Sequence, residues 1–251
     1  MMLRKTNVFL SHLHQTGNPY SVLHIKNHPF CFWFCSSSSS SSSIASTTNE
    51  FKKPAKGYVF HNINDALTLF NQMARASPRP SIVEFSKLLG AIVGMKNYAI
   101  VISLCKQMEL LGITHDAYTL NILINCFCHS RRVDFAFSVL GKMLKLGYNP
   151  HLVTFSALIK GFCMERKIAQ AARLFNEMVL TGHQPNLYIY TIIVNGLCKI
   201  GDSNGALRML RDMEVRGFLP DIVAYSAVVD SLCKNKFITE ALDLVDRKSV
   251  V

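Results

Sequence analysis

Between Tyr188 and Lys199 the apolar residues Tyr190, Ile193, Val194, Leu197 and Cys198 recur at i, i+3, i+4, i+7 and i+8, which predicts an amphipathic helix. Gly201 interrupts that stripe. A second one, Ala206, Leu207, Leu210 and Met213, runs to Gly217 with Pro220 beyond, and glycine followed by proline is a helix stop. Two short helices in a hairpin are therefore predicted. The same pattern opens at Ala117, Leu152 and Leu187, a period of 35 residues. Each of these units has Ala at its twentieth place (Ala136, Ala171, Ala206) and Met at its twenty-seventh (Met143, Met178, Met213). Ile82 to Asp116 carries Met108 and Gly112 at the matching places, and the stretch from Ile222 carries Ala241. One such hairpin cannot bury its own apolar face and must stack on a copy of itself. The predicted fold class is all-α: an α-solenoid of 35-residue helical hairpins in a right-handed superhelix, with the first helices lining the concave side.

The period divides the chain into full units at 82–116, 117–151, 152–186 and 187–221, and a fifth at 222–251 that stops before its Met, Gly and Pro-Asp close. That stop suggests a short or truncated array. Residues 58–81 read as a half-unit: Asn64, Asp65, Ala66, Leu67, Leu69, Phe70 and Met73 predict a second helix in register, expected to cap the stack, and Pro78 and Pro80 break the chain after it. Residues 1–57 read as a leader. The first 49 residues contain no Asp or Glu, carry Arg4, Lys5 and Lys26, and include the serine run Ser36 to Ser43, the composition of an organellar transit peptide. The serines on their own favour a plastid, and a plain low-complexity tail is the alternative.

Charge changes the picture modestly. The 27 Lys and Arg against 16 Asp and Glu leave +11, and the sequence pI is near 9.4, as a surface for a polyanion requires. A basic leader on ordinary helices gives the same sum. Apolar residues make up 49% of the chain, yet no run approaches the ~20 apolar residues of a membrane span, and PFCFWFC at Pro29 to Cys35 is far too short.

Cys128, Cys163, Cys198 and Cys233 stand 35 apart, so they occupy one place in successive units and cannot gather round one ion. Small apolar residues at a helix contact account for them. Cys126, Cys128 and His129 form C-x-C-H, but no second ligand pair answers them at zinc spacing, and disulfides are not expected in a reducing organelle interior. No metal or other cofactor is expected. Neither a phosphate-binding G-x-x-x-x-G-K-[ST] loop nor H-E-x-x-H nor the deaminase pair H-x-E with C-x-x-C occurs, so catalysis is not expected. His115, His151 and His183 fall between units, where a solvated loop residue is the default.

Among helical hairpins, tetratricopeptide repeats have 34 residues and a Trp/Tyr pattern that these units lack, the only Trp being Trp33. Here an aromatic precedes a small polar residue (Phe155-Ser156, Tyr190-Thr191, Tyr225-Ser226), a Leu/Ile/Val pair follows, then Gly-Phe-Cys or Gly-Leu-Cys, and the units close with Pro185-Asn186 or Pro220-Asp221. In these features Ile82 to Arg247 closely resembles the pentatricopeptide repeat family. The segment MKNYAIVISLCKQMELLGITHDAYTLNILINCFC further resembles the opening repeats of plant restorer-of-fertility-like members.

That resemblance implies single-stranded RNA as partner, read one base per unit. The fifth residue of a unit lies one turn into its first helix and the last lies in the loop before the next unit. The pairs are Ser86 with Asp116, Asn121 with His151, Ser156 with Asn186, Thr191 with Asp221, and an unpartnered Ser226. Ser, Thr and Asn near a helix start are also helix caps, and Asp or Asn after Pro is turn chemistry. Recurrence of one polar class in five units weakens that bland reading. By the family's pairing rule the array favours 5′-G-Y-A-G-purine-3′, with His151 departing from the expected Asn or Asp. The family's base-sandwiching second residues map onto Val83, Tyr118, Val153, Tyr188 and Val223. The implied setting is a mitochondrion, alternatively a chloroplast, where the chain acts in transcript processing, stability or translation, with nucleases or other processing proteins as further partners. Neither a membrane nor a small-molecule substrate is implied. Five bases at ~1–3 kcal/mol each, less the ordering of the strand, correspond to micromolar affinity. The alternatives are a tetratricopeptide-like scaffold for peptides and an inactive truncated member.

Overall fold

The computed structural model describes residues 58–249, with side chains placed as far as Asp246. The expected leader at 1–57 lies outside the described residues. Eleven α-helices and no strands are present among them: α1 (Ile63–Arg75), α2 (Ile82–Gly94), α3 (Tyr98–Leu110), α4 (Ala117–His129), α5 (Val133–Lys145), α6 (Leu152–Met164), α7 (Ile168–Leu180), α8 (Leu187–Ile200), α9 (Ser203–Val215), α10 (Ile222–Lys234) and α11 (Ile238–Ser249). The all-α, helical-hairpin architecture agrees with the sequence reading. Two compact units divide between Thr119 and Leu120, inside α4.

In the first unit α1 packs on α2 and α2 on α3. Phe70 and Phe85 meet edge to face with centroids 5.8 Å apart, an arrangement aromatic quadrupoles favour. Asn62 caps α1 by accepting from the Asn64 N–H at 3.0 Å. In the second unit the first helices α6 and α8 each pack on their own second helix and on the first helix of the next repeat: α6 on α7 and α8, then α8 on α9 and α10. The invariant marks of the period form the floor of this packing. Ala136, Ala171 and Ala206 on the second helices have no exposure, and Met143, Met178 and Met213 are equally covered.

Side chains at the fourteenth place tie neighbouring repeats together. Glu165 reaches back to accept from the Val133 N–H at 2.9 Å, which satisfies a donor left open at the start of α5 and places negative charge at the positive helix end. Asn235 does the same kind of work two interfaces later, donating to the Gly201 carbonyl at 2.6 Å and to Ser203 Oγ at 2.7 Å.

Both helices of the four repeats between 82 and 221, and the first helix of the fifth, end in one backbone motif, in which a left-handed residue closes the helix and two amides fold back on its last carbonyls. After the second helices this residue is Gly112, Gly147, Gly182 or Gly217, at φ between 72° and 88°. After the first helices it is Lys96, Arg131, Arg166, Gly201 or Lys236.

Candidate nucleic-acid interface

The second residue of each repeat is a large apolar side chain standing in solvent. Val83 is 52% exposed, Tyr118 61%, Val153 59%, Tyr188 53% and Val223 59%. A lone exposed hydrophobe needs no explanation, but recurrence at one helical place in five repeats does. The fifth residues lie along the same helices three positions later. Ser86 and Asn121 are buried, Ser156 and Thr191 half-buried, and Ser226 exposed. Their hydroxyls donate to the helix itself: Ser86 to the Ile82 carbonyl at 2.9 Å, Ser156 to Val153 at 3.0 Å, Thr191 to Leu187 at 2.9 Å and Ser226 to Ile222 at 2.6 Å. A hydroxyl whose proton is spent this way offers lone pairs to anything beyond it.

The last residues of three repeats are helix caps, as the bland reading allowed. Asp116 Oδ1 accepts from the Thr119 N–H at 2.8 Å, Asn186 Oδ1 from Ile189 at 3.1 Å, and Asp221 Oδ1 from Ala224 at 2.8 Å. Capping occupies one side-chain atom and leaves the other with no bond to the described residues: Oδ2 of each aspartate and Nδ2 of Asn186. The two roles are therefore compatible on one side chain.

The second pair is built differently. Thr154 Oγ donates to Asn121 Oδ1 at 2.7 Å in a buried contact, and accepts from the His151 N–H at 3.3 Å. One threonine thus connects the fifth residue of this repeat to its last one, and the Asn121 carbonyl is committed inside the protein. Two residues that sequence reasoning passed over, Lys160 and Asn195, stand four places after Ser156 and Thr191, hence on the same helical face. Lys160 Nζ lies 3.4 Å from His129 Nε2, and burial together with that ammonium group holds the His129 imidazole below its ordinary 6.5, so it is neutral near pH 7.

His115 corrects an expectation. It is not a solvated loop residue: its side chain is 2% exposed and Nε2 lies 3.1 Å from Glu109 Oε1. His115 takes the place held by Pro150, Pro185 and Pro220 in later repeats, where the chain turns inward over the hairpin. His183, also expected to be solvated, is half-buried, with its ring 5.0 Å from that of Phe155 and Nδ1 3.1 Å from Thr181 Oγ1. The six described cysteines are free thiols, and the described residues contain no cluster of His, Cys, Asp and Glu that could hold a metal ion. No described helix is long and apolar enough to cross a membrane.

Known proteins share this arrangement. A mitochondrial pentatricopeptide repeat-containing protein of Arabidopsis thaliana is 48% identical over 89 residues, which is 36% of this chain and 14% of that protein. A second mitochondrial one is 55% identical over 74 residues, 30% of this chain and 14% of that protein. The match therefore spans about one seventh of these relatives. Among solved structures, pentatricopeptide repeat protein PPR10 from maize superposes with a TM-score of 0.57 at 26% identity, over 74% of this chain and 27% of that one. PPR10 in complex with an 18-nt psaJ RNA element gives a TM-score of 0.62 at 23% identity, over 71% and 26%. The PPR repeat family matches residues 115–164, 150–199 and 185–234, and its single repeat matches 223–247, more than half of the 251 residues. This chain belongs to the pentatricopeptide repeat family.

Proposed function

We propose that this chain binds single-stranded RNA in an organelle, one base per repeat, and acts without catalysis by occupying a transcript during its processing, stabilisation or translation. The observation that carries the reading is the recurrence, in five repeats, of an exposed apolar second residue beside a polar fifth residue on one helical edge. Val83, Tyr118, Val153, Tyr188 and Val223 would each flank a base, and stacking on an aromatic contributes ~1–3 kcal/mol.

The hydrogen-bond inventory supports the base assignments. Ser86 with Asp116, and Thr191 with Asp221, present acceptors only, because the hydroxyl proton is spent on the helix and a carboxylate has none. Guanine is the base whose Watson–Crick edge offers two adjacent donors. Ser156 with Asn186 presents one acceptor and one donor, since capping takes the Asn186 carbonyl and leaves its amide N–H groups. Adenine is the purine with that complement. Asn121 with His151 takes a pyrimidine and Ser226 a purine, giving 5′-G-Y-A-G-purine-3′. The mitochondrial names of the relatives support that compartment, and RNA is the ligand of the solved PPR10 complex.

The test is binding of the purified chain to RNA containing GUAGA, to scrambled RNA and to the matching DNA, at two salt concentrations. Selective, RNA-preferring binding that weakens with salt supports the reading. Binding to all three alike, or a peptide ligand indifferent to competing RNA, overturns it.

A further inference from the structure

We infer that the left-handed cations closing the first helices of the second unit, Arg131, Arg166 and Lys236, form the track for the phosphodiester backbone of the bound single strand. The inference rests on the RNA reading above and adds where the strand's charge is held.

The reason begins with the backbone. Positive φ is disfavoured for any side chain with a Cβ, and glycine is the usual occupant of the left-handed position after a helix. The repeats at 82–116, 117–151 and 152–186 provide their own comparison, because both helices of each end in the same motif, with a cation after the first and glycine after the second. Arg131 N–H bonds the Cys128 carbonyl at 3.1 Å and Arg132 N–H bonds Phe127 at 2.9 Å; Gly147 and Tyr148 repeat this on Leu144 and Met143 at 3.0 and 3.1 Å. After the second helices of the four repeats between 82 and 221 the left-handed residue is glycine: Gly112, Gly147, Gly182 and Gly217. After the first helices it is Arg131 at φ 54°, Arg166 at 60° and Lys236 at 64°, with Gly201 alone keeping the unstrained residue. In the first unit Lys96 holds this place at φ 61°. No other non-glycine residue among the described ones has positive φ.

A favourable interaction of a cation with the helix C-terminus is the bland explanation. It fails here, because the second helices have the same dipole and keep glycine. Nor do these cations hold the fold together. Arg131, Arg166 and Lys236 are exposed and form no ion pair with a described residue, whereas the carboxylates nearby are already engaged: Glu165 with Lys167 and the α5 amide, Asp134 with Arg132, Asp230 with Lys234. The row is therefore uncompensated positive charge, kept at the cost of backbone strain on one edge of the repeats only. Its place suits a phosphate. Ten residues separate a fifth-place reader from the left-handed cation, ~15 Å along the helix, a length that one nucleotide and an extended arginine together bridge. Where Gly201 breaks the row, the exposed Lys199 stands two residues earlier.

The experiment compares the full chain with the triple variant Arg131→Gly, Arg166→Gly, Lys236→Gly, and with a control of equal charge loss on the second helices, Arg173→Gln, Arg208→Gln, Arg211→Gln. Each is titrated with RNA containing GUAGA across a salt series and unfolded in urea. Gly201 shows that the turn closes with glycine, so the triple variant is expected to unfold at an unchanged or higher urea concentration. Its RNA affinity is expected to fall at least ~10-fold at low salt and its slope of log K against log salt to shrink by about 2, roughly 0.7 per lost phosphate contact, with the control close to the parent. A triple variant that binds like the parent, or a control that loses as much, overturns the track. Failure of the parent itself to bind RNA overturns the RNA reading and the track with it.

Discussion

Gly196 lies directly beneath Cys163 of the preceding repeat: a Cβ on the glycine would stand 2.8 Å from the cysteine Sγ and 2.9 Å from Ile168 Cδ1. Gly161 repeats this against Cys128 Sγ at 2.7 Å and Val133 Cγ2 at 2.8 Å. At the next interface the glycine is replaced by Ser231 and the branched residue by Ser203, and the two hydroxyls bond at 2.7 Å. Volume added on one side is removed on the other, and a hydrogen bond satisfies the polar atoms that the exchange buries.

Gly161→Ala and Gly196→Ala are therefore expected to destabilise the chain by about 1–3 kcal/mol each, as overpacking does. Gly141→Ala, inside α5 with nothing within 4 Å of its Cβ, should stabilise by about 0.5–1 kcal/mol. Urea unfolding of the three variants checks both signs. Equal effects at all three sites would mean that helix propensity, not the inter-repeat contact, governs these glycines.

The cysteines follow from the same contact. Burial pushes the Cys126 and Cys128 thiols up to about 12 and that of Cys163 to about 11, so almost no thiolate is present near neutral pH, while Cys233 is exposed. Among the described cysteines, iodoacetamide at pH 8 should alkylate Cys233 first, and Cys126 and Cys128 only under denaturing conditions. Peptide mapping of the modified chain reads this residue by residue, and early labelling of Cys128 would mean that the repeats open readily.

Much of this was legible in the chain because periodicity reports burial directly. Ala136, Met143 and their counterparts are fully covered, and a residue that must be small or must fill one gap recurs wherever that gap recurs. The tight contacts of Gly161 and Gly196 were not legible, since closeness between helices depends on how neighbouring repeats seat on one another. The spacing of Arg131, Arg166 and Lys236 was visible as multiples of 35, but their left-handed backbone was not, and without it they read as ordinary surface charge. His115 was misread for a related reason. Its polarity suggested solvent, whereas the turn over the hairpin that prolines make in later repeats carries it inward onto Glu109.

Thr154 should matter more than its size suggests. Thr154→Val keeps the shape but takes the hydroxyl from the buried Asn121 carbonyl and from the His151 amide, at a cost of about 1–3 kcal/mol. Thr154→Ser retains the hydroxyl and should lose less than half of that. Urea unfolding of the two variants decides whether the hydroxyl or the methyl carries the contact.

Thr191→Asn tests the one-base-per-repeat reading at a single position. Thr191 spends its proton on the Leu187 carbonyl and so presents only lone pairs, and Asp221 beside the next helix adds another acceptor. The asparagine would introduce an N–H donor where two acceptors stood, which removes the match to guanine and brings the pair to the composition that the family's rule assigns to a pyrimidine. The expected result is a change of preference at the fourth nucleotide from purine to pyrimidine, with the third unchanged because Ser156 and Asn186 are untouched. Binding competition between RNAs that differ only at those two nucleotides measures it. Unaltered preference at the fourth would mean that affinity here comes from charge and stacking, with the fifth-place side chains serving only their own helices.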